Sequence, residues 1–284
     1  MTADKLNAYR RLMRLDRPIG FWLLLWPTLW ALWLAAGGVP PVRWLALFTV
    51  GVFLMRAAGC VINDYADRAI DGLVQRTRGR PLPQGDVSER ECLLLFLGLL
   101  IVAGLLLLAF NRKTILLSGI ALLLTGLYPW AKRFTALPQL LLGLAFAWSV
   151  PMVFSAVTHQ LPPTCWLLLL ATLCWVTAYD TQYALVDRDD DLKIGVKSTA
   201  ILWGGTSPLM IALLQMTMLG LLGVVGWLNH CGSAFYMGLL VTIGLFVYQY
   251  TLLRQQQRDH DFKAFMNNRY VGLIIFMGLA ITLY

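Results

Sequence analysis

Long apolar segments alternate with short polar ones along the whole chain. Nine of the apolar segments approach the roughly 20 residues that an α-helix needs to cross the ~30 Å hydrocarbon core of a bilayer. They lie near residues 18–36, 44–62, 92–110, 114–130, 137–157, 164–186, 205–228, 233–253 and 265–284. The pattern predicts an all-α, polytopic membrane bundle of nine transmembrane helices that forms a single domain over residues 1–284.

The composition excludes an ordinary soluble domain. Charged residues make up 13% of the chain and hydrophobic residues 58%, whereas soluble proteins carry roughly 25% charged residues. The net charge of +8 does not indicate nucleic-acid binding, because the basic residues are spread between the apolar segments. The five cysteines are scattered along the chain, which excludes a disulfide framework and a metal-ligand spacing.

The distribution of charge predicts the orientation of the bundle. If nine helices cross in turn, the N-terminal segment and every second loop contain 19 Lys and Arg residues, and the opposite side contains 3. Short cytoplasmic loops hold the excess of basic residues in membrane proteins. All 15 acidic residues also fall on the basic side. We therefore expect a cytoplasmic N-terminus and a polar active-site mouth on the cytoplasmic face.

The first acidic cluster, "NDYADRAID", directly follows the second apolar segment. Its polar members are Asn63, Asp64, Asp67 and Asp71. Residues 63, 67 and 71 are spaced four apart, so a helix that continues into this stretch presents them on one face.

The second acidic cluster, Asp187 and Asp191, repeats the spacing of four residues after the sixth apolar segment. Asp180 lies two turns earlier, inside the end of that segment, where an ionisable side chain is costly and usually functional. Arg56, in the second segment, is a functional candidate for the same reason. The two clusters are four segments apart, which predicts an internal duplication of a four-helix unit, residues 18–130 and 137–253.

The residue types in and around both clusters predict a site for a metal-bound phosphate. Mg²⁺ prefers oxygen ligands and often takes one or two carboxylates, completing its shell with water and substrate phosphates. Lys and Arg bind the remaining phosphate oxygens. The basic residues near the clusters are Arg68, Arg76, Arg78, Arg80, Lys132, Arg133, Lys193 and Lys197.

Two other interpretations are open at this point. A charged loop of mixed sign is often only solvated, although two clusters with matching spacing on one side of a bundle make that less favoured. An ion or metabolite transporter also places acidic residues in a bundle. Transporters hold such residues near the bilayer midplane, whereas these cluster at one face, so the pattern favours an enzyme.

Three motifs in this order resemble those of the UbiA-type intramembrane aromatic prenyltransferases. The first is the Asn-Asp-x-x-Asp-x-x-x-Asp pattern of "NDYADRAID". The second is "YPWAK", which matches a Tyr-x-x-x-Lys motif, and the third is the Asp-x-x-x-Asp pattern that begins at Asp187. The stretches "RLDRPIGFWLLLWPTLWAL", "GRPLPQG" and "DLKIGVKSTAILWG" are similar to the bacterial branch that prenylates 4-hydroxybenzoate in ubiquinone biosynthesis.

The resemblance implies a reaction and a cellular location. A polyprenyl group leaves polyprenyl diphosphate and joins the ring carbon ortho to the hydroxyl of 4-hydroxybenzoate, with Mg²⁺ as cofactor. The location implied is the bacterial cytoplasmic (inner) membrane, with the active site facing the cytoplasm. The same chemistry on naphthoate, homogentisate, haem or a chlorophyll precursor remains an alternative.

The resemblance also assigns roles to residues of this chain. The metal ligands implied are Asn63, Asp67 and Asp71 for one ion, and Asp187 and Asp191 for a second. The residues expected at the diphosphate are Arg68, Lys132 and Lys197, with Arg76 and Arg80 as further candidates. Tyr128 either binds the α-phosphate or lies beside the developing allylic cation. Arg133 is a candidate for the benzoate carboxylate, and Arg56 and Asp180 are further substrate-binding candidates.

Overall fold

The computed structural model describes residues 3–283, and over these residues the protein is helical with no β-strand. The helices are α1 (Ala3–Leu12), α2 (Ile19–Ala36), α3 (Val42–Asp67), α4 (Glu89–Leu106), α5 (Arg112–Phe134), α6 (Pro138–Ala147), α7 (Ser149–Thr158), α8 (Pro163–Ile194), α9 (Thr199–Trp203), α10 (Ser207–Leu228), α11 (Ser233–Leu253) and α12 (Arg258–Thr282). Short 3₁₀ turns at 71–73, 107–109 and 204–206 join some of them.

Nine helical segments of the described chain are long and apolar enough to cross a membrane. Helices α6 and α7 together make one of these segments, and so do α9 and α10; the short α1 is not among them. The prediction of an all-α fold is therefore confirmed for residues 3–283, and the number of helical segments that could span a membrane matches the predicted nine. The internal duplication stays a prediction.

The largest differences from the predicted segments lie at the ends that carry charge. Helix α3 continues to residue 67 and α8 to residue 194, so Asn63 and Asp67 lie on α3 and Asp187 and Asp191 on α8. Asp71 lies beyond α3, on the 3₁₀ turn 71–73, so the helix expected to carry it ends one turn earlier. Hydropathy ends a segment where charged residues become frequent, but the backbone remains helical because the carboxylates are matched by cations from other segments. Helix α12 likewise begins at residue 258 rather than near 265.

Helices α2, α8 and α12 pack against one another in the centre of the bundle. The rings of Trp30 and Trp175 stack with centroids 5.1 Å apart, and the Trp30 indole donates a hydrogen bond to the carbonyl of Gly272 at 3.2 Å. A methyl group on Gly272 would collide with the rings of Trp26 and Trp175. These contacts bring α12 close enough to hold α8, which carries the second acidic cluster.

A network of buried amides also ties α8 to α10, α11 and α12. The Gln249 side chain accepts hydrogen bonds from Gln182 and Gln215 at 2.9 and 2.7 Å and donates to Asn267 at 2.9 Å. Asn268 donates to Gln182 at 2.7 Å. Because lipid offers no partners to polar groups, such interhelical bonds stabilise membrane bundles. The network lies one to two turns before Asp187 on α8.

Helix α1 packs outside the bundle, against the segment that joins α3 to α4. Lys5 forms an ion pair of 2.8 Å with Glu91, and Arg11 pairs with Asp86 at 3.5 Å. Arg11 also donates to the carbonyl of Gly79. The apolar side of α1 packs with Val61 and Val87. Helix α1 thus anchors the connecting segment, residues 68–88, which contains Arg76 and Arg80.

Candidate active site

A polar cavity of about 270 Å³ opens near the ends of α3, α5 and α8. Residues of six helices (α2, α3, α5, α6, α8 and α12), of the loop after α8 and of the segments that follow α1 and α3 line it. The predicted site residues that line this cavity are Arg56, Asn63, Arg80, Tyr128, Lys132, Asp180, Asp187, Asp191 and Lys197.

A second polar cavity, of about 170 Å³, adjoins the first and shares several of its walls. Asn63, Lys132, Asp187 and Asp191 line both cavities. The predicted residues that line only the second are Asp67, Asp71 and Arg76. Asp71 and Asp187 are 116 residues apart in the sequence. The two acidic clusters nevertheless face one connected polar space.

Ion pairs link the carboxylates of the site to cations from other segments. Asp67 pairs with Lys132 at 2.5 Å and Asp71 with Arg80 at 2.7 Å. Asp187 pairs with Arg76 at 2.5 Å. These carboxylates are buried, and a buried charge without a partner is strongly destabilising. The cations therefore hold the acidic clusters together before any ligand enters.

Two of these cations lie outside the membrane-spanning helices and remain charged. Burial by itself lowers the pKa of the Arg76 guanidinium, but Tyr183 and the Asp187 carboxylate outweigh burial and raise that pKa above its ordinary value. Burial likewise lowers the pKa of Arg80, and the carboxylates of Asp64 and Asp71 raise it overall. Both side chains are permanent positive charges at the mouth of the cavity.

The oxygen atoms left without partners fit a divalent cation. Asp67 Oδ1 is buried and has no hydrogen-bond partner, and Asp191 forms no ion pair with any described residue. Within residues 3–283, no group of three or more His, Cys, Asp and Glu side chains is gathered closely enough to enclose a metal on its own. The site thus offers Mg²⁺ a few carboxylates, which matches the way this ion shares its shell with phosphates and water.

The deep end of the polar cavity contains one cation and one acid. Arg56 and Asp180 both line it and are half-buried. The Arg56 guanidinium forms no ion pair or hydrogen bond with another described side chain. The guanidinium packs directly over Gly20, where a methyl carbon would lie 2.5 Å from Arg56 Cζ. The absence of a side chain at residue 20 gives Arg56 its position.

An apolar cavity of about 300 Å³ continues from the polar one between α3, α4, α5 and the α6–α7 segment. Arg56, Tyr128 and Phe146 line both cavities. The Tyr128 hydroxyl donates a hydrogen bond of 3.0 Å to the carbonyl of Gly59. Tyr128 therefore stands at the boundary between the charged compartment and the apolar one.

Two predicted residues do not line these cavities. Arg68 is exposed, pairs with Glu89 at 3.0 Å and lies over the ring of Tyr65. Arg133 donates a hydrogen bond of 2.6 Å to the carbonyl of Ala66, at the end of α3. Both side chains fasten the ends of helices in this structure.

Four residues of the site were given no role by sequence reasoning. Asp64, 1% exposed, accepts two hydrogen bonds from Arg14 at 2.7 and 2.9 Å and pairs with Arg80 at 2.9 Å. Tyr183 contacts Arg76 through both its ring and its hydroxyl. Sequence patterns could have identified two of these residues. Asp64 lies in the first acidic cluster, and Tyr183 lies one turn before the second.

The fourth residue, Arg258, comes from the distant start of α12. It contacts Asp187 at 3.4 Å, Asp190 at 3.0 Å and the Gln75 side chain at 3.2 Å. Arg258 therefore bridges the second acidic cluster and the segment that carries Arg76. Like the approach of Arg14 to Asp64, this contact has no local signal in the sequence.

Comparison with known proteins assigns the class of this fold and site. The profile of the UbiA prenyltransferase family matches residues 24–274. The chain belongs to the UbiA prenyltransferase family, which confirms the predicted resemblance and makes it a multi-pass membrane prenyltransferase.

Curated relatives match nearly the whole chain. The 4-hydroxybenzoate octaprenyltransferase of Klebsiella pneumoniae is 58% identical over 282 residues, which cover 99% of this chain and 98% of that protein. The protein of the same name from Cronobacter sakazakii is also 58% identical, over 99% of this chain and 97% of its own length.

Solved structures show the same fold. A UbiA homolog from Aeropyrum pernix K1 superposes with a TM-score of 0.81 at 24% identity, over 93% of this chain and 98% of the other. A UbiA homolog from Archaeoglobus fulgidus bound to GPP and Mg²⁺ gives a TM-score of 0.69 at 18% identity, over 97% of this chain and 99% of the other.

Proposed function

We propose that this protein transfers a polyprenyl group from polyprenyl diphosphate to the ring carbon ortho to the hydroxyl of 4-hydroxybenzoate, in ubiquinone biosynthesis. The single observation that carries the proposal is the junction at Tyr128, where a charged cavity meets an apolar one. A polyprenyl diphosphate has the same division into an anionic head and an apolar tail. The names of the relatives that match nearly the whole chain support the choice of acceptor.

The diphosphate head binds in the two polar cavities. Lys132, Arg76 and Arg80 neutralise its oxygens, and Lys197 contributes from the loop after α8; Arg68 and Arg133 support the site from outside. Asn63, Asp67 and Asp71 would hold one Mg²⁺ ion at the first cluster, and Asp187 and Asp191 would hold a second. When bound, the ion supplies positive charge that stabilises the diphosphate as a leaving group.

The reacting bond lies beside Tyr128. Cleavage of the allylic C–O bond leaves positive charge on the prenyl carbon and negative charge on the diphosphate, so preorganised cations at the head lower the barrier. The side of Tyr128 that lines the polar cavity borders this carbon. The apolar cavity keeps water away from the tail. A cation shielded from water reacts with the aromatic ring rather than being hydrolysed.

The acceptor binds at the deep end of the polar cavity. The guanidinium of Arg56 has no carboxylate partner of its own there, so we assign it to the benzoate carboxylate in preference to Arg133. Arg forms paired hydrogen bonds with carboxylates. Asp180, at the same end, accepts a hydrogen bond from the acceptor's hydroxyl or takes up the ring proton after the new C–C bond forms.

The orientation and location follow from the charge count. The acidic clusters and the mouth lie on the side that carries 19 of the 23 Lys and Arg residues, which is cytoplasmic by the positive-inside rule. We therefore propose a bacterial inner-membrane protein with a cytoplasmic N-terminus and an active site that opens to the cytoplasm.

The test is prenyl transfer by membranes that contain this protein, supplied with 4-hydroxybenzoate, octaprenyl diphosphate and Mg²⁺. We expect 3-octaprenyl-4-hydroxybenzoate, lost on addition of EDTA and restored by excess Mg²⁺. Asp67→Asn and Asp191→Asn keep the shape of each side chain and remove its charge, and each should lower kcat by at least about a hundredfold. Asp189→Asn is the matched control, because Asp189 is an exposed residue of α8 outside both polar cavities.

Each failure has a distinct meaning. Full activity of both cluster variants overturns the assigned metal ligands and leaves the reaction in place. Transfer to naphthoate or homogentisate but not to 4-hydroxybenzoate overturns the acceptor alone. Loss of activity in Asp189→Asn as well points to a general effect of charge on α8.

A further inference from the structure

The apolar cavity is too short for a long prenyl tail. The Tyr128 hydroxyl marks its upper end at Gly59, and Phe48 lines its lower end eleven residues earlier on α3, a depth of about 16 Å at 1.5 Å per residue. Each extended isoprene unit adds four bonds of about 1.5 Å, or roughly 5 Å of length. The cavity therefore takes about three units before the packed rings of Phe48 and Phe110 close it.

Part of the cavity wall is open to the outside of the bundle. Four residues both line the cavity and are exposed at the protein surface, and all four belong to α4 or α5. They are Gly104, Ile115, Gly119 and Leu122. Helix α4 packs along α3 rather than along α5, so the open side lies between α4 and α5.

The two glycines in this wall stand at nearly the same depth. Gly119 is nine residues from Tyr128 along α5, about 13 Å. Cys92 of α4 contacts the carbonyl of Val61, and Gly104 is twelve residues further along α4, which places it about 15 Å below Gly59. Both depths correspond to about three isoprene units from the reacting carbon.

These glycines differ from those that the fold needs for packing. At Gly20 and Gly272 an added methyl would collide with Arg56 or with tryptophan rings, whereas at Gly104 and Gly119 it would meet nothing within 4 Å. Glycine also costs about 1 kcal/mol of helix stability relative to alanine. Neither close packing nor helix stability accounts for glycine at these two positions.

We propose that Gly104 and Gly119 determine which donors the protein uses, by leaving a gap between α4 and α5 through which the fourth and later isoprene units pass out of the cavity. This rests on the proposed function, since it concerns the tail of the same donor. Larger side chains introduced at these two positions would narrow the gap between α4 and α5. A donor short enough to remain inside the cavity does not depend on it.

The experiment compares donors of two, four and eight isoprene units: geranyl, geranylgeranyl and octaprenyl diphosphate. Gly104→Leu and Gly119→Leu are assayed for kcat/KM with 4-hydroxybenzoate. The matched controls are Gly98→Leu on α4 and Gly126→Leu on α5, which also have open space around them but do not line the cavity. Thermal stabilisation of each purified variant by each diphosphate provides a second readout that needs no acceptor.

We expect the ratio of kcat/KM for octaprenyl to that for geranyl diphosphate to fall about tenfold or more in the cavity variants, and to stay unchanged in the controls. Activity with geranyl diphosphate shows that each variant is folded. An unchanged ratio in both cavity variants, or an equal fall in the controls, overturns the inference.

A failure of the proposed acceptor can be distinguished from a failure of the inference about Gly104 and Gly119. If the wild-type protein does not prenylate 4-hydroxybenzoate, the stabilisation data still decide the inference. Selective loss of stabilisation by octaprenyl diphosphate in Gly104→Leu and Gly119→Leu supports it, and equal stabilisation by all three donors overturns it.

Discussion

The contact between Gly20 and Arg56 makes a sharp test of the acceptor site. In Gly20→Ala the new methyl carbon would lie 2.5 Å from Arg56 Cζ and closer still to Nε and Nη2, whereas ordinary contact begins at about 3.4 Å. The guanidinium must therefore move by about 1 Å. A displacement of that size in a group that positions a substrate can cost about a hundredfold in rate.

The same change should leave the fold intact. The colliding atoms are the far end of a flexible side chain, and alanine is at least as good a helix former as glycine at Gly20, in the first turn of α2. We expect a thermal unfolding temperature equal to or above that of the wild type. The expected loss, about a hundredfold in kcat/KM for 4-hydroxybenzoate, is then a loss of geometry rather than of stability.

A double-mutant cycle with Arg56→Ala isolates the cause. If Gly20→Ala acts through Arg56, it has no further effect once the guanidinium is absent. Gly126→Ala, at an open position on α5, is the control and should retain wild-type kinetics. Two results would refute the reasoning: wild-type kcat/KM in Gly20→Ala, or the same fold-loss from Gly20→Ala in the Arg56→Ala background.

Three further predictions concern residues to which the sequence assigned no role. Asp64→Asn removes the shared partner of Arg14 and Arg80 and should lower the free energy of unfolding by about 3 to 5 kcal/mol. Arg258→Ala releases Asp187 on one side and should raise the Mg²⁺ concentration for half-maximal activity about 10- to 100-fold. Gln249→Leu breaks the buried amide network and should lower stability by about 1 to 2 kcal/mol, measured by thermal unfolding in detergent, with KM unchanged.

Each of these has a matched control. Asp16→Asn disrupts only an exposed pair with Arg17, which contributes at most about 1 kcal/mol; an equal loss in both Asp variants contradicts the first prediction. Arg254, exposed near the end of α11, is the control for Arg258, and an unchanged Mg²⁺ requirement in Arg258→Ala contradicts the second. A change in KM without a change in stability contradicts the third.

The sequence by itself determined the architecture and most of the site. Nine apolar segments are long enough to span a bilayer, and a helix is the simplest way to satisfy their backbone polar groups inside lipid. The spacing of four residues correctly placed Asn63 and Asp67 on one face of α3 and Asp187 and Asp191 on one face of α8, whereas Asp71 lies beyond the end of α3. These features are local, so periodicity and charge are sufficient to find them.

The tertiary structure alone decided what those faces meet. Arg14 reaches Asp64 from 50 residues away and Arg258 reaches Asp187 from 71 residues away, and no local pattern encodes either distance. The same holds for the space beside Gly20 that positions Arg56. Hydropathy also misjudged where α3 and α8 end, because it assigns a charged residue to solvent. Buried ion pairs between distant segments instead keep those carboxylates on helices, inside a cavity that only the packed bundle creates.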